Sequence, residues 1–447
     1  MNRSEFLRLL ALGAASIPLR SLARPFPAPG KRVLIIGAGM AGAAAAAALR
    51  AAGTEVLVLE ARSRTGGRIH TDRSLGMPVD LGAAWIHHPR GNPLVPLAEA
   101  QQLRTTPTRF TQLHLIEPGG DSLPARRLLR PALAWQRAFR QAARQADRMP
   151  PALSLWEALE PRLDPPGDPR LSSLIRQAAE TELAASLETV GAAQVLRARL
   201  RGAGQDLFMR DGYQPLVDSL LEGVQVLLNQ PVQQIVQRGS RVTAYTRETS
   251  YEADALILTV PLSILQAGQI EFDPPLPADK REALARMRLG LMNKVILPFE
   301  APCWDTRKQF IVLLGEAQEP DRILVNMHAF TGQPVLAALY VHREAEALEH
   351  ADPEAVRRSW TARLHRAFPG REIALRTPIL TRWRADPYSQ GSYSYPHAGA
   401  LAGDAALLAA PWGRIRFAGE ATESQHSSYV HGAYLSGLRE ARAVLEP

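Results

Sequence analysis

Lys31 to Ile36 is a short run of aliphatic and β-branched residues that passes directly into Gly37-Ala38-Gly39-Met40-Ala41-Gly42. An alanine-rich stretch continues to Ala52 and Gly53. A second apolar run, Glu55 to Leu59, then stops at Glu60. A short apolar run, a long small-residue stretch and another short run predict strand, tight turn, helix and strand. The turn residues have separate tasks in such a unit. Gly37 permits the turn, Gly39 lets backbone approach a pyrophosphate, and Gly42 lets helix and strand pack closely. The helix start offers free N–H groups and a positive dipole end to that anion. Glu60 lies 23 residues after Gly37, where a carboxylate is suited to accept hydrogen bonds from a ribose diol. The unit therefore predicts dinucleotide binding.

After Glu60 the pattern leaves that of a simple nicotinamide-binding chain, which would continue into another strand–helix unit. Ala61-Arg62-Ser63-Arg64-Thr65-Gly66-Gly67-Arg68 is instead a paired-glycine loop with arginines. Its backbone and guanidinium groups are suited to pack around a diphosphate and a flavin. Further on, Asn293-Lys294-Val295-Ile296-Leu297 has strand character broken by one lysine. A buried Lys294 would be costly and hold a lowered pKa; an outward-facing lysine on a solvated alternation is the other reading. Residues 105–205 read as irregular amphipathic helix.

The N-terminus, Arg3-Ser4-Glu5-Phe6-Leu7-Arg8 followed by apolar Leu9 to Leu19 and Ser21-Leu22-Ala23, has the layout of a secretory signal. It is similar to the twin-arginine pattern except that Ser4 replaces the second arginine. A frayed helix fits the same residues, so export and a cytoplasmic location both stay open. The apolar stretch is too short to span a bilayer. Arg24 to Gly30, with three prolines, reads as a linker.

At 447 residues the chain exceeds one ordinary domain. One cysteine, Cys303, excludes an intramolecular disulfide framework and a thiolate-rich metal site. The net charge of +8 comes mostly from dispersed arginine and reads as a solvated surface, so no nucleic-acid partner is expected. His87 and His88 adjoin, but neighbours in a strand point to opposite faces. Such a pair rarely shares one metal, so no metal is expected, and His88 is read as a loop residue.

Glu60-Ala61-Arg62 with Gly66-Gly67-Arg68 resembles the flavin-containing amine oxidase family. Asp80-Leu81-Gly82-Ala83-Ala84-Trp85-Ile86-His87 continues that pattern, and Gly91-Asn92-Pro93-Leu94 is similar to the polyamine oxidase branch. Asp211-Gly212-Tyr213, the strand with Val232, the segment around Lys294, Trp383-Arg384-Ala385-Asp386-Pro387, Ser392-Tyr393-Ser394-Tyr395, Phe417 to Thr422 and Tyr429 to Ala433 follow in family order. The resemblance runs from about Lys31 to the C-terminus and is weakest over 105–205.

The resemblance implies an α/β fold of two domains. One is a Rossmann-like FAD domain from 31–105, 205–270 and 400–447. The other is a substrate domain pairing a helical cap over 106–204 with a mixed sheet over 271–399. It implies FAD bound by Gly37, Gly39, Met40, Ala41, Gly42, Glu60, Ala61, Arg62, Gly67, Arg68, Gly82, Ala83, Ala84, Trp85, Val232, Trp383, Gly419, Glu420, Tyr429 and Val430. The chemistry it implies is oxidation of an amine to an imine, which water hydrolyses, with oxygen reduced to hydrogen peroxide. Lys294 would hold a water near the flavin, Tyr393 and Tyr429 would flank the amine, and His87 would line the substrate cavity. Ser392 stands where the mammalian monoamine oxidases carry a flavin-linked cysteine, which implies noncovalent FAD.

Two other readings are carried: an L-amino-acid oxidase of the tryptophan type, for which Arg90 is the nearest carboxylate clamp, and a flavin-bound protein without turnover. Glu180 and Glu182 are either partners for the distal ammonium groups of a polyamine or surface helix positions. The +8 charge disfavours steering of a polycation. The histone demethylases' helical insertion is absent, so no chromatin role is expected.

Overall fold

The structure, a computed structural model, describes residues 31–163, 168–198, 205–316 and 319–446. The signal-like segment and linker of residues 1–30 lie outside the described residues.

Arg32–Ile36 and Glu55–Leu59 form, with the helix Met40–Ala51 between them, the strand–helix–strand unit that the pattern predicts. They pair in parallel and recruit Gln225–Leu227, Ala255–Leu258 and Ile415–Phe417 into one five-stranded parallel sheet. Successive residues of the first strand feed opposite faces. Val33 and Ile35 pack with the alanine helix and with Tyr434 and Leu438 of the helix Val430–Leu445. Leu34 and Ile36 pack against a second sheet, where Val232–Arg238 is joined by Arg241–Thr246, Ser250–Ala253 and Glu271–Asp273. Small residues let the two helices cross closely: a Cβ on Gly437 would lie 2.1 Å from the carbonyl oxygen of Ala41.

The other half is a seven-stranded mixed sheet that includes Met292–Pro298, Val335–Val341, Arg322–Asn326 and Phe310–Leu313. Helices Leu129–Ala143, Leu155–Leu159, Pro169–Leu183 and Ala192–Ala198 stand beside it, the helical core formed around Trp135, Leu155 and Leu187. The fold is thus α/β, with mixed sheets and helices in two domains.

Two expected boundaries move. Leu113–Ile116 and Ser122–Leu123, expected as amphipathic helix, are strands of the seven-stranded sheet, the first parallel to Phe310–Leu313. Leu115 and Ile116 are buried by that distant partner, and a run this short has no period of its own to reveal it. The boundary expected at 270 falls inside a packing unit. Glu271–Asp273 pairs with Val232–Arg238, and Ala283, Leu284 and Met287 join the core beneath the parallel sheet.

Candidate active site

Gly37 has φ +104°, and a Cβ there would meet Thr259 Oγ1 at 2.6 Å. A Cβ on Gly42 would lie 1.9 Å from the carbonyl oxygen of Gly37, so Gly42 is fixed by packing. Gly42 does not itself line the cavity described below. Gly39 is different, because no protein atom would come closer than 3.8 Å to a Cβ there. The bare position leaves room for an outside group to approach the backbone. Glu60, 4% exposed, accepts hydrogen bonds from the N–H of Ala38 at 2.8 Å and of Arg62 at 2.9 Å. Its carboxylate ties the glycine turn to the loop after the second strand. That loop returns as Gly66 and Gly67, and the Gly66 N–H donates to the Ala38 carbonyl.

A cavity of about 1220 Å³ runs from this turn into the second half of the molecule. All the other predicted site residues line it: Gly37, Gly39, Met40, Ala41, Glu60, Ala61, Arg62, Gly67, Arg68, Gly82, Ala83, Ala84, Trp85, His87, Val232, Lys294, Trp383, Tyr393, Gly419, Glu420, Tyr429 and Val430. Two helix N-termini open onto it, Met40–Ala51 and Val430–Leu445, and neither carries a side-chain cap. Uncapped first-turn N–H groups are donors without intrahelical partners, suited to anionic oxygens.

The arginines of the wall are committed to carboxylates. Arg62 Nη2 donates to Asp386 Oδ1 at 2.6 Å and to Ser389 Oγ at 2.7 Å. Arg68 Nη1 donates to Glu420 Oε1 at 2.8 Å and to the Ser392 carbonyl at 2.6 Å. Glu420 also accepts from Ser394 Oγ at 2.5 Å and from the Ser428 N–H at 2.9 Å. The arginine bonds tie together segments more than 300 residues apart in the chain.

Lys294 lies in an interior strand, Met292–Pro298, between Ile379–Leu380 and Val335–Val341, and is 6% exposed. Its ammonium donates to the carbonyls of Asp80 at 2.7 Å and Gly82 at 2.6 Å. The third N–H is left to the cavity that the residue lines. Burial pushes its pKa down to about 8, opposed by the charge of Asp80. Asp80 is itself pushed up to about 6 by burial, against hydrogen bonds from Thr71 and the Tyr213 N–H. In the sequence Asp80 stands out only as part of a motif, and the lysine it faces lies 214 residues away.

His87 Nδ1 lies 2.7 Å from Asp206 Oδ2, and the His88 N–H donates to Asp206 Oδ1 at 3.1 Å. The two histidines do not point apart as strand neighbours would. The strand ends at Ile86, and His88 has φ +50°. Both rings come within 5.2 Å of the Tyr429 ring, and His88 lines the cavity too. Tyr429 stacks on His431 at 5.3 Å and 15°, and its hydroxyl lies 3.4 Å from Glu182 Oε1. The Tyr393 hydroxyl donates to the Thr181 carbonyl at 3.0 Å, and burial raises its pKa. Glu182 stands in the cavity wall, while Glu180 pairs with Arg176 at 3.1 Å.

The glycine turn, the bare Gly39 backbone and the two helix starts fit a dinucleotide cofactor. Residues 40–445 match the family model described as flavin containing amine oxidoreductase. The chain belongs to that family. It is 32% identical over 429 residues to polyamine oxidase 4 of Oryza sativa subsp. japonica and to polyamine oxidase 2 of Arabidopsis thaliana, covering 92% of this chain and 87% of each relative. It is 30% identical to lysine-specific histone demethylase 1 homolog 2 of Arabidopsis thaliana, covering 92% of this chain but only 58% of that protein. In fold it is similar to a putrescine oxidase redesigned in its cofactor binding, with TM-score 0.76 and 24% identity over 94% of this chain and 99% of that one. This flavin amine oxidase is an enzyme, and its cofactor is FAD. Among the described residues no cluster of histidine, cysteine and carboxylate side chains could hold a metal ion, and no helix is long and apolar enough to cross a membrane.

Proposed function

We propose that this amine oxidase converts an amine to an imine, which water hydrolyses to a carbonyl compound and ammonia or a smaller amine, with oxygen reduced to hydrogen peroxide. The observation that carries the reading is Lys294, whose ammonium is held by two carbonyls in the wall of the cavity that begins at the dinucleotide turn. When bound, FAD would supply the redox chemistry, as acceptor of the hydride equivalent from the carbon next to nitrogen and as reductant of oxygen. The protein's part is to bind, orient and hold protons.

Glu60 would accept from the ribose diol, and the helix N-termini at Met40 and Val430 would hold anionic parts of the cofactor. Lys294 offers its remaining N–H to a water in the cavity. Tyr393 and Tyr429 present aromatic faces to the amine, which attract its positive charge and also orient its neutral form. FAD is held without a covalent link. Ser392 Oγ is occupied on both sides, accepting from the Met292 N–H at 2.9 Å and donating to the Met292 carbonyl at 3.0 Å. Acid precipitation should therefore release the flavin into the supernatant.

Glu182 beside the Tyr429 hydroxyl supports an amine with a second amino group, in line with the names of the polyamine oxidase relatives. An amino-acid substrate needs a cation for its carboxylate. Arg62 and Arg68 are the arginines of the wall and both are paired, while Arg90 is exposed and does not line the cavity. The test is peroxide release by FAD-loaded protein from panels of monoamines, polyamines and L-amino acids. Release from amines supports the reading. Release from amino acids alone, or from nothing, overturns it.

A further inference from the structure

The reading of the arginine excess as dispersed surface fails at one place. Between Ser122 and Ala146 the chain carries six arginines and no acidic residue. The turn Ala125–Leu128 and the helix Leu129–Ala143 hold five of them, and Arg144 follows at once. Arg126, Arg127, Arg130, Arg140 and Arg144 are exposed, and none forms an ion pair with a described residue. The helix buries one side only, through Trp135, Ala138 and Ala142. The opposite side, at spacings of three and four residues, carries Leu129, Leu133, Arg137, Arg140 and Arg144. Leu129 is 61% exposed and Leu133 52%. The surface adjoins the cavity wall through Leu128, the residue just before the helix, which lines the cavity.

We infer that this helix docks the enzyme on an anionic phospholipid surface. Guanidinium groups with no acid among them meet headgroup phosphates by charge and by forked hydrogen bonds. Two leucines one turn apart enter the acyl boundary between them, as on helices that lie in the interface without crossing it. The leucines decide for lipid over nucleic acid, which would meet the same arginines but offer the apolar pair no burial. Docking in this way brings the cavity wall at Leu128 towards the bilayer.

The test is cosedimentation of FAD-loaded protein with vesicles of equimolar phosphatidylglycerol and phosphatidylcholine, and with vesicles of phosphatidylcholine alone. Binding is expected to the anionic vesicles and to fall with salt. Each arginine near the surface contributes about fivefold in partitioning, so Arg126→Gln/Arg127→Gln/Arg130→Gln should lower it about a hundredfold. Leu129→Ser/Leu133→Ser should lower it on the order of tenfold with turnover of a soluble amine unchanged, since neither leucine lines the cavity. If one set misfolds, as shown by lost flavin, Arg140→Gln/Arg144→Gln provides the same comparison. Absence of binding, equal binding to both vesicle types, or anionic binding indifferent to the leucines and matched on double-stranded DNA would overturn the proposal.

Discussion

Two lysines are buried in this enzyme under similar constraint and with opposite outcomes. Lys280, 3% exposed, donates to the carbonyls of Leu407 and Leu408 at 2.7 Å and of Ala410 at 2.8 Å, at the end of the helix Asp404–Ala409. It also lies 4.0 Å from the centre of the Phe417 ring. Every N–H is used, and the ammonium meets the negative end of a helix. Lys294 uses two N–H groups on Asp80 and Gly82 and keeps one for the cavity. Burial pushes both pKa values down to about 8. A shifted pKa therefore does not distinguish the two lysines; the unspent donor and the cavity do, and they are why Lys294 is the one proposed to act.

Replacing each lysine is the direct test. Lys294→Met keeps length and bulk but removes the N–H and the charge. Flavin reduction by amine or reoxidation by oxygen should fall about tenfold to a thousandfold, with FAD still bound. Equal rates in both half-reactions would end the distinction. Glu60 probes its limit, because the carboxylate is as buried as Lys280 yet lines the cavity. Glu60→Ala should weaken FAD binding by about 1.5–3 kcal/mol, read by titrating apoprotein with FAD. A loss confined to the melting temperature of the apoprotein, with FAD affinity intact, would place Glu60 with Lys280 as a strut.

Lys280→Met should cost about 1–3 kcal/mol of stability by leaving three carbonyls unpaired. Turnover per bound flavin should stay at the parent value. A drop in that turnover would show that the helix end it caps reaches the chemistry.

The last comparison is in pH. The unfolded chain holds the lysine proton up to about 10.5 and the folded one only to about 8, so between these limits the unfolded state binds more protons and stability gained from the lysine rises with pH. The parent should therefore gain melting temperature relative to each methionine variant as pH is raised through that window. A constant gap would mean that the ammonium groups are not held down by burial.

The dinucleotide turn was legible because its requirements are local: glycine at fixed spacing, then an acid at the end of the next strand. Lys294 was legible because a charge in an apolar run asks for a reason. Lys280 was not, since Ala278–Arg286 reads as an ordinary polar helix and its acceptors lie 127 to 130 residues away. The Arg62–Asp386 pair joins two motifs that were each recognised, but nothing in either names the other. His88 does lie in a loop, but the strand alternation expected of the two histidines does not apply, because the strand ends at Ile86 and His88 is left-handed. The strand Leu113–Ile116 was missed because its partner arrives almost two hundred residues later.

The order of strands in the parallel sheet also bears on how the chain assembles. Ala255–Leu258 waits for its outer neighbour Ile415–Phe417, and the whole segment between them must first be made. Within that segment, Met292–Pro298, Phe310–Leu313, Arg322–Asn326 and Val335–Val341 pair largely with one another. Contacts of short sequence separation form early and those of long separation late. The cavity wall carrying Lys294 should then stand before the nucleotide sheet is closed. Flavin would enter a half-finished cradle as one of the last events of folding, and scarcity of the cofactor during synthesis would leave chains arrested at that stage.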